Sequence, residues 1–295
     1  MRITLCQQKK RTGPVRLGVR MAKTPILSAL CLITAYFTIA FLVYLPGFSG
    51  PMMYDTEGHI EMGQGAMARG GLTAAVRICP QRPLAMATIY SNFLFDGLHP
   101  EYYRILNVFL LACSAAVVYL LLLQILSFPG IWPGVETRTK RHICLLLGFL
   151  FLLHPLQVYS TLYIWQRFVL LACLFSYSSI AVYIAVRSGN MPSVPGYLLC
   201  LGLFICGLAS KENTIIVPFA LILLEITFFS SSMKNLILRA GVFCFAVLIS
   251  VALMSWWKSF FLVPKNAGVW HAVRSNYEAA GFTISEVILT QCRAF

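Results

Sequence analysis

Residues 103–128 read YRILNVFLLACSAAVVYLLLLQILSF, and this apolar run decides the fold. It exceeds the roughly 20 residues that a helix needs to cross the hydrocarbon layer of a membrane. The whole chain has the same character, since 59% of its 295 residues are hydrophobic and only 11% are charged. An ordinary soluble domain carries about 25% charged residues. The composition therefore excludes a single water-soluble core and predicts an all-α polytopic membrane protein.

Further apolar runs extend this pattern, so that the sequence indicates about seven transmembrane helices. They cover residues 25–44, 142–153, 168–186, 196–209, 214–229 and 236–261. The first run lacks the cleavage site of a signal peptide and is expected to be retained. We therefore divide the chain into a basic arm (1–24), a transmembrane module (25–262) with a long loop (45–102), and a C-terminal segment (263–295).

The formal charge of +13, from 23 lysines and arginines against 10 acids, is unevenly distributed. Basic residues concentrate in the 1–24 arm and on alternate connections, whereas most acids fall on the other side, including the 45–102 loop. Cytoplasmic loops are rich in Lys and Arg, so we expect a cytoplasmic N-terminus and an outer 45–102 loop. The expected location is a bacterial inner membrane, or the endoplasmic reticulum membrane in a eukaryote. No soluble basic domain exists to bind nucleic acid.

The 10 cysteines give little compartment information, because most lie inside the apolar runs and no CxxC spacing occurs. Cys79 and Cys292 are the pair assigned to the outer face. A disulfide between them is one alternative in an oxidising compartment, and two free thiols are the other.

A polar cluster opens the outer loop in the sequence MYDTEGHIEMGQ, residues 53–64. It is expected to form an amphipathic helix on the membrane surface, where Asp55 and His59 share one face and Glu57 and Glu61 share another. A carboxylate held there can accept a proton from a hydroxyl or bind a divalent cation. The alternative is a solvated acid that caps the helix after it.

Three cations are expected at the same outer face. Arg82 precedes Pro83, which fits the first turn of a second external helix, and it is suited either to an anion or to lipid headgroups. Arg167 and Lys211 lie in outer turns flanked by apolar helices, where charged groups usually pair or serve a site. The alternatives are snorkelling for Arg167 and pairing with Glu212 or an anionic lipid for Lys211.

The order of the motifs resembles membrane glycosyltransferases of the GT-C class, particularly protein O-mannosyltransferase-like proteins with tetratricopeptide repeats. The motifs, over residues 25–293, are Tyr54-Asp55, Arg82-Pro83-Leu84, Asn107, His154-Pro155-Leu156-Gln157, Tyr163 to Arg167, and Lys211-Glu212. The resemblance implies transfer of a sugar from a polyprenyl-phosphate donor to a protein or glycan acceptor on the periplasmic or lumenal face.

The resemblance also implies roles for individual residues. Asp55 is the expected catalytic carboxylate, and Arg167 and Lys211 are expected to hold the donor phosphate. The supporting residues are Glu57, His59, Arg82, Gln166 and Glu212. Relatives often have a second acid directly after the first, whereas Thr56 stands here. A divalent cation is therefore the cofactor left open, and no metal ligands are assigned.

Relatives continue beyond residue 293, and no tetratricopeptide repeat is visible in this sequence. We therefore expect a truncated chain. Two other classes stay open, namely a non-catalytic remnant and an integral membrane protein that transports lipids or solutes. A transporter would favour charged or broken helices near mid-membrane and inverted repeats, and the sequence shows neither.

Overall fold

The structure, a computed structural model, describes residues 25–53, 55–229, 234, 237, 239, 241, 243, 244, 247–250 and 252. This part of the chain is helical and contains no β-strand, as the composition predicts. The basic arm, Tyr54, most of the 236–261 run, and the 263–295 segment with Cys292 lie outside the described residues. The predictions for those segments stay predictions.

The α-helices are, in chain order, α1 (Pro25–Tyr44), α2 (Gln64–Ile78), α3 (Pro83–Asp96), α4 (Pro100–Leu126), α5 (Thr137–Leu152), α6 (Leu156–Leu162), α7 (Arg167–Arg187), α8 (Ser193–Leu208) and α9 (Val217–Leu224). Shorter 3-10 turns occur at Leu45–Gly47, Ile164–Gln166 and Glu212–Ile216, and π-helical turns at Glu57–Glu61 and Glu225–Phe229. The apolar runs and the two external helices expected from the sequence are thus helical wherever they are described.

The described residues contain 4 helical segments that are long and apolar enough to cross a membrane. They are Leu27–Gly47, Pro100–Leu126, Ile164–Arg187 and Glu212–Phe229. Helices α5 and α6 are bent by 63° and form either a broken span, which would bring the number to 5, or a re-entrant loop. Helix α8 has only 16 residues. These helices are those of a membrane protein. Six of the seven spans indicated by the sequence fall in the described part, and the number seven stays a prediction because most of the 236–261 run lies outside it.

Helix α4 is the centre of the bundle. It packs against α1, α5, α6 and α7, and α7 in turn packs against α8. Helices α1 and α5 approach closely at Gly148, where an added Cβ would collide with the ring and hydroxyl of Tyr36. The Tyr36 hydroxyl donates to the carbonyl of Leu145, 3.3 Å away, which fixes the two helices in register.

The break between α5 and α6 has a local cause. Pro155 has no N–H to donate to the preceding turn, so α5 ends at Leu152 and α6 begins at Leu156. The backbone N–H of Leu156 donates to His154 Nδ1 at 3.3 Å. The carbonyl of Leu152 accepts a hydrogen bond of 3.1 Å from the Tyr44 hydroxyl of α1. The change of direction from α5 to α6 thus lies beside the C-terminal end of α1.

The bundle has two ends of different character. At one, here called the loop end, α1 finishes and α4 and α7 begin. At the opposite end, Lys140 Nζ donates to the carbonyl of Leu126 at 2.7 Å, and Glu225 pairs with Arg187 and Arg239, each at 2.5 Å. These cations are among those that the sequence assigns to the cytoplasm. Which end faces the cytoplasm stays a prediction.

Candidate functional site

Asp55 lies at the loop end and is held by Tyr163. The Tyr163 hydroxyl donates to Asp55 Oδ2 at 3.0 Å, and the backbone N–H of Asp55 donates to the same hydroxyl oxygen at 3.3 Å. Burial and the hydrogen bond to Asp55 raise the pKa of Tyr163 to about 12. The phenol therefore stays protonated at neutral pH and donates to an exposed carboxylate of fixed orientation.

His59 lies next to Asp55, as the four-residue spacing predicts. Its Nδ1 donates to the backbone carbonyl of Asp55 at 2.9 Å, since a carbonyl oxygen only accepts. The imidazole ring packs on Trp165, with 4.6 Å between ring centroids. His59 lies in a π-helical turn, Glu57–Glu61, in which Glu57 is exposed. The helix expected over residues 53–64 is thus short and mostly π-helical, and the next α-helix, α2, begins at Gln64.

Arg104 of α4 fixes the backbone that leads to Asp55. Its guanidinium donates to the carbonyls of Phe48, Gly50 and Pro51, and its Nε donates to the carbonyl of Leu162 at 3.0 Å. The side chain is only 4% exposed. Because one buried cation binds both the start of the outer loop and the end of α6, Asp55 and Tyr163 are brought to the same place.

A cavity of about 310 Å³ opens beside this pair. Its lining is mainly apolar and includes Met52, Met53, Val158, Tyr159, Leu162 and Ile164. Tyr163, which hydrogen-bonds to Asp55, and the buried Thr56, which follows Asp55 in sequence, also line the cavity. Gln166 lies nearby, since its Nε2 donates to the Tyr159 hydroxyl at 3.2 Å. Such a cavity suits the apolar part of a ligand whose reactive group lies at Asp55.

A second charged cluster, named here the Arg82 cluster, consists of Arg82, Lys211 and Glu212. Arg82 Nη2 donates to Glu212 Oε1 at 3.1 Å, and the Arg82 guanidinium lies over the ring of Phe168, 4.9 Å from its centroid. Burial lowers the pKa of Lys211, and the nearby Arg82 guanidinium lowers it further. Glu212, which was one alternative partner for Lys211, forms its ion pair with Arg82.

A row of packed aromatic groups connects the segment of Asp55 to the Arg82 cluster. His59 packs on Trp165, Trp165 contacts Phe168 with 4.7 Å between centroids, and Phe168 carries Arg82 on its face. The backbone N–H of Leu84 also donates to the carbonyl of Ala209 at 3.1 Å, which ties the start of α3 to the end of α8. The motifs that are far apart in sequence therefore converge at the loop end.

Arg167 differs from the role expected for it. It is fully buried, and its guanidinium donates to Asn107 Oδ1 at 2.9 Å, Asn92 Oδ1 at 2.6 Å, and the carbonyls of Thr88 and Tyr103 at 3.1 and 2.8 Å. Oxygens of α3 and α4 thus take the donors that a phosphate would need. We assign Arg167 to packing between α3, α4 and α7 rather than to the donor phosphate.

Sequence reasoning missed four residues that build the site. Tyr163 and Asn107 were part of the motifs, but no role was assigned to either. Arg104 lies inside the apolar run of residues 103–128 and Trp165 inside the Tyr163 to Arg167 motif, and the sequence indicates a role for neither. Asn107 connects α6 with α7, since its Nδ2 donates to the carbonyl of Thr161 at 3.1 Å while its Oδ1 accepts from Arg167. A polar residue inside an apolar run was the signal available for Arg104 and Asn107.

No group of three or more His, Cys, Asp or Glu side chains suited to a metal ion occurs among the residues that the structure describes. His59, which lies beside Asp55, uses Nδ1 for the Asp55 backbone carbonyl. The arrangement of side chains therefore adds no support to the divalent cation.

No family model, curated protein or solved structure matches this chain.

Proposed function

We propose that the chain is a GT-C-type glycosyltransferase that moves a sugar from a polyprenyl-phosphate donor to a hydroxyl of a protein or glycan acceptor. The observation that carries the proposal is that the exposed Asp55 carboxylate, held by Tyr163, shares one end of a membrane bundle with the Arg82 cluster. A base and a cationic group at the same membrane end are what transfer from a lipid phosphate requires.

In this mechanism Asp55 accepts the proton of the acceptor hydroxyl while the oxygen of that hydroxyl bonds to the anomeric carbon. The bond from that carbon to the phosphate oxygen breaks, and its electron pair leaves with the polyprenyl phosphate. The negative charge that develops there is stabilised by fixed cations in a poorly solvated site, and Lys211 and Arg82 supply them. Tyr163 orients Asp55, and the adjoining cavity holds an apolar part of a substrate. The proposed site faces the periplasm or lumen.

The test is transfer of sugar from a polyprenyl-phosphate donor by the full chain in lipid nanodiscs. We expect Asp55→Asn to reduce turnover by about 10²–10⁴-fold, the range typical of a lost general base. Glu61→Gln is the matched control, because it removes a carboxylate from the π-helical turn that follows Asp55 in sequence and should leave turnover unchanged. Unchanged turnover in the Asp55 variant would refute the assignment.

A further inference from the structure

The Arg82 side chain is an incompletely used cation. It is 20% exposed and packs on Phe168, and the hydrogen bond recorded for its guanidinium is the one to Glu212. Its Nε is buried and has no hydrogen-bond partner within the described part of the chain. A buried N–H without an acceptor is costly, so the site favours a ligand that supplies further oxygens.

The charges around Arg82 are also unbalanced. Two cations, Arg82 and Lys211, face the single carboxylate of Glu212, and Lys211 is itself half-buried. Arg82 directly precedes the 14-residue helix α3, whose N-terminal end adds positive potential. The corner therefore carries net positive charge in a place of restricted solvation, which favours a second anion.

Glu212 is the more exposed partner in this arrangement. Its side chain is 58% exposed, against 20% for Arg82, and it begins a 3-10 turn of only 5 residues. Because water can solvate the carboxylate on its exposed side, Glu212 can separate from Arg82 at a modest cost. A carboxylate that pairs with a guanidinium through one oxygen also leaves the forked geometry of the guanidinium available for a phosphate.

We propose that Arg82 and Lys211 form a phosphate-ester site and that Glu212 is an internal counter-ion, which pairs with Arg82 until a phosphate displaces it. The inference rests on the proposed function in one respect, namely that the phosphate ester is a prenyl phosphate. Glu212 and the phosphate compete for the same guanidinium. The carboxylate weakens phosphate binding and, by pairing again with Arg82, helps the spent prenyl phosphate to leave.

The experiment measures binding of a short-chain prenyl phosphate, and of the matching uncharged prenol, to the full chain in nanodiscs. We expect Glu212→Gln to bind the prenyl phosphate about fivefold more tightly, because a competing exposed ion pair is removed. Arg82→Gln should bind it at least about tenfold more weakly, and Arg82→Lys should recover part of the loss. Prenol affinity should be the same in all variants.

Matched controls are Glu61→Gln for the lost carboxylate and the exposed Arg77→Gln for the lost guanidinium. Thermal unfolding of each variant identifies any that fails to fold, and Arg82→Lys then replaces Arg82→Gln as the test. Unchanged or weaker prenyl-phosphate binding in folded Glu212→Gln would overturn the inference. Unchanged binding in both Arg82 variants would do the same.

Inorganic phosphate is the second probe. Competition with prenyl phosphate supports recognition of the phosphate group alone, whereas failure to compete, with the Glu212 effect intact, supports a site completed by the lipid tail. The Asp55→Asn variant separates this inference from the proposed function. If that variant keeps full transfer activity while Glu212→Gln binds more tightly, the catalytic assignment fails and the phosphate site stands.

Discussion

Replacement of Arg167 by methionine tests whether the buried arginine organises the bundle or binds a ligand. Methionine approximates the length of the side chain but removes every donor. Because the four hydrogen bonds of Arg167 reach α3 and α4, the substitution leaves two asparagine side chains and two backbone carbonyls with fewer partners. All four bonds lie in a region where the arginine itself is completely buried.

The expected loss follows from those four acceptors. A buried polar group deprived of its partner costs about 1–3 kcal/mol, so four at the low end give about 4 kcal/mol. For a domain of about 150–250 residues, each kcal/mol shifts the unfolding midpoint by about 2–4 °C, which predicts a fall of roughly 8–16 °C. The assay is thermal unfolding in nanodiscs, with the exposed Arg77→Met as control.

A phosphate ligand in an open site would behave differently. Arg167→Met would then weaken binding of prenyl phosphate and leave the unfolding temperature near that of the control. A midpoint within about 2 °C of Arg77→Met, together with a loss of phosphate binding, would refute the packing role.

Three further outcomes are expected. Tyr163→Phe should lower kcat about five- to tenfold by releasing Asp55, and equally across neutral pH, because the pKa of Tyr163 is raised to about 12; a wild-type kcat would contradict this. Glu225→Gln should cost about 3 kcal/mol and lower the unfolding temperature, because Arg187 and a second arginine lose their buried partner; an unchanged midpoint would count against it. The affinity for prenyl phosphate should fall as the pH is raised into the alkaline range, because Lys211 loses its proton there. The fall should begin at a lower pH than for an ordinary lysine, because burial lowers the pKa of Lys211. Lys211→Arg should abolish this dependence.

The helices were predictable because long apolar runs dominate this sequence. The run at 25–44 coincides with α1, and the other described runs become helices with ends displaced by a few residues. The number of spans was not predictable in the same way. A run of twelve to sixteen apolar residues does not reveal whether it crosses the membrane, and the 63° turn at Pro155 depends on tertiary contacts such as the one made by Tyr44.

The site was predictable in its place but not in its pairings. Charge distribution and loop order predict that Asp55, Arg82 and Lys211 share one face, whereas the contacts of Asp55 with Tyr163 and of Arg82 with Glu212 could not be foreseen. Arg167 was the exception, because its partners Asn92 and Asn107 belong to other helices and no local spacing relates them. Whether a cation at a helix start meets a ligand or a buried amide is decided by tertiary packing.

The row of packed rings from His59 through Trp165 and Phe168 to Arg82 has a consequence for how the two charged groups work together. Rings packed against one another cannot shorten or lengthen as flexible side chains do, so the row holds the segment of Asp55 and the Arg82 cluster at a set separation. Under the proposed function the bond that forms and the bond that breaks share the anomeric carbon, so the carboxylate and the cations have to act around that single atom. Smaller aromatic replacements at residue 165 would change their separation and with it the rate of transfer.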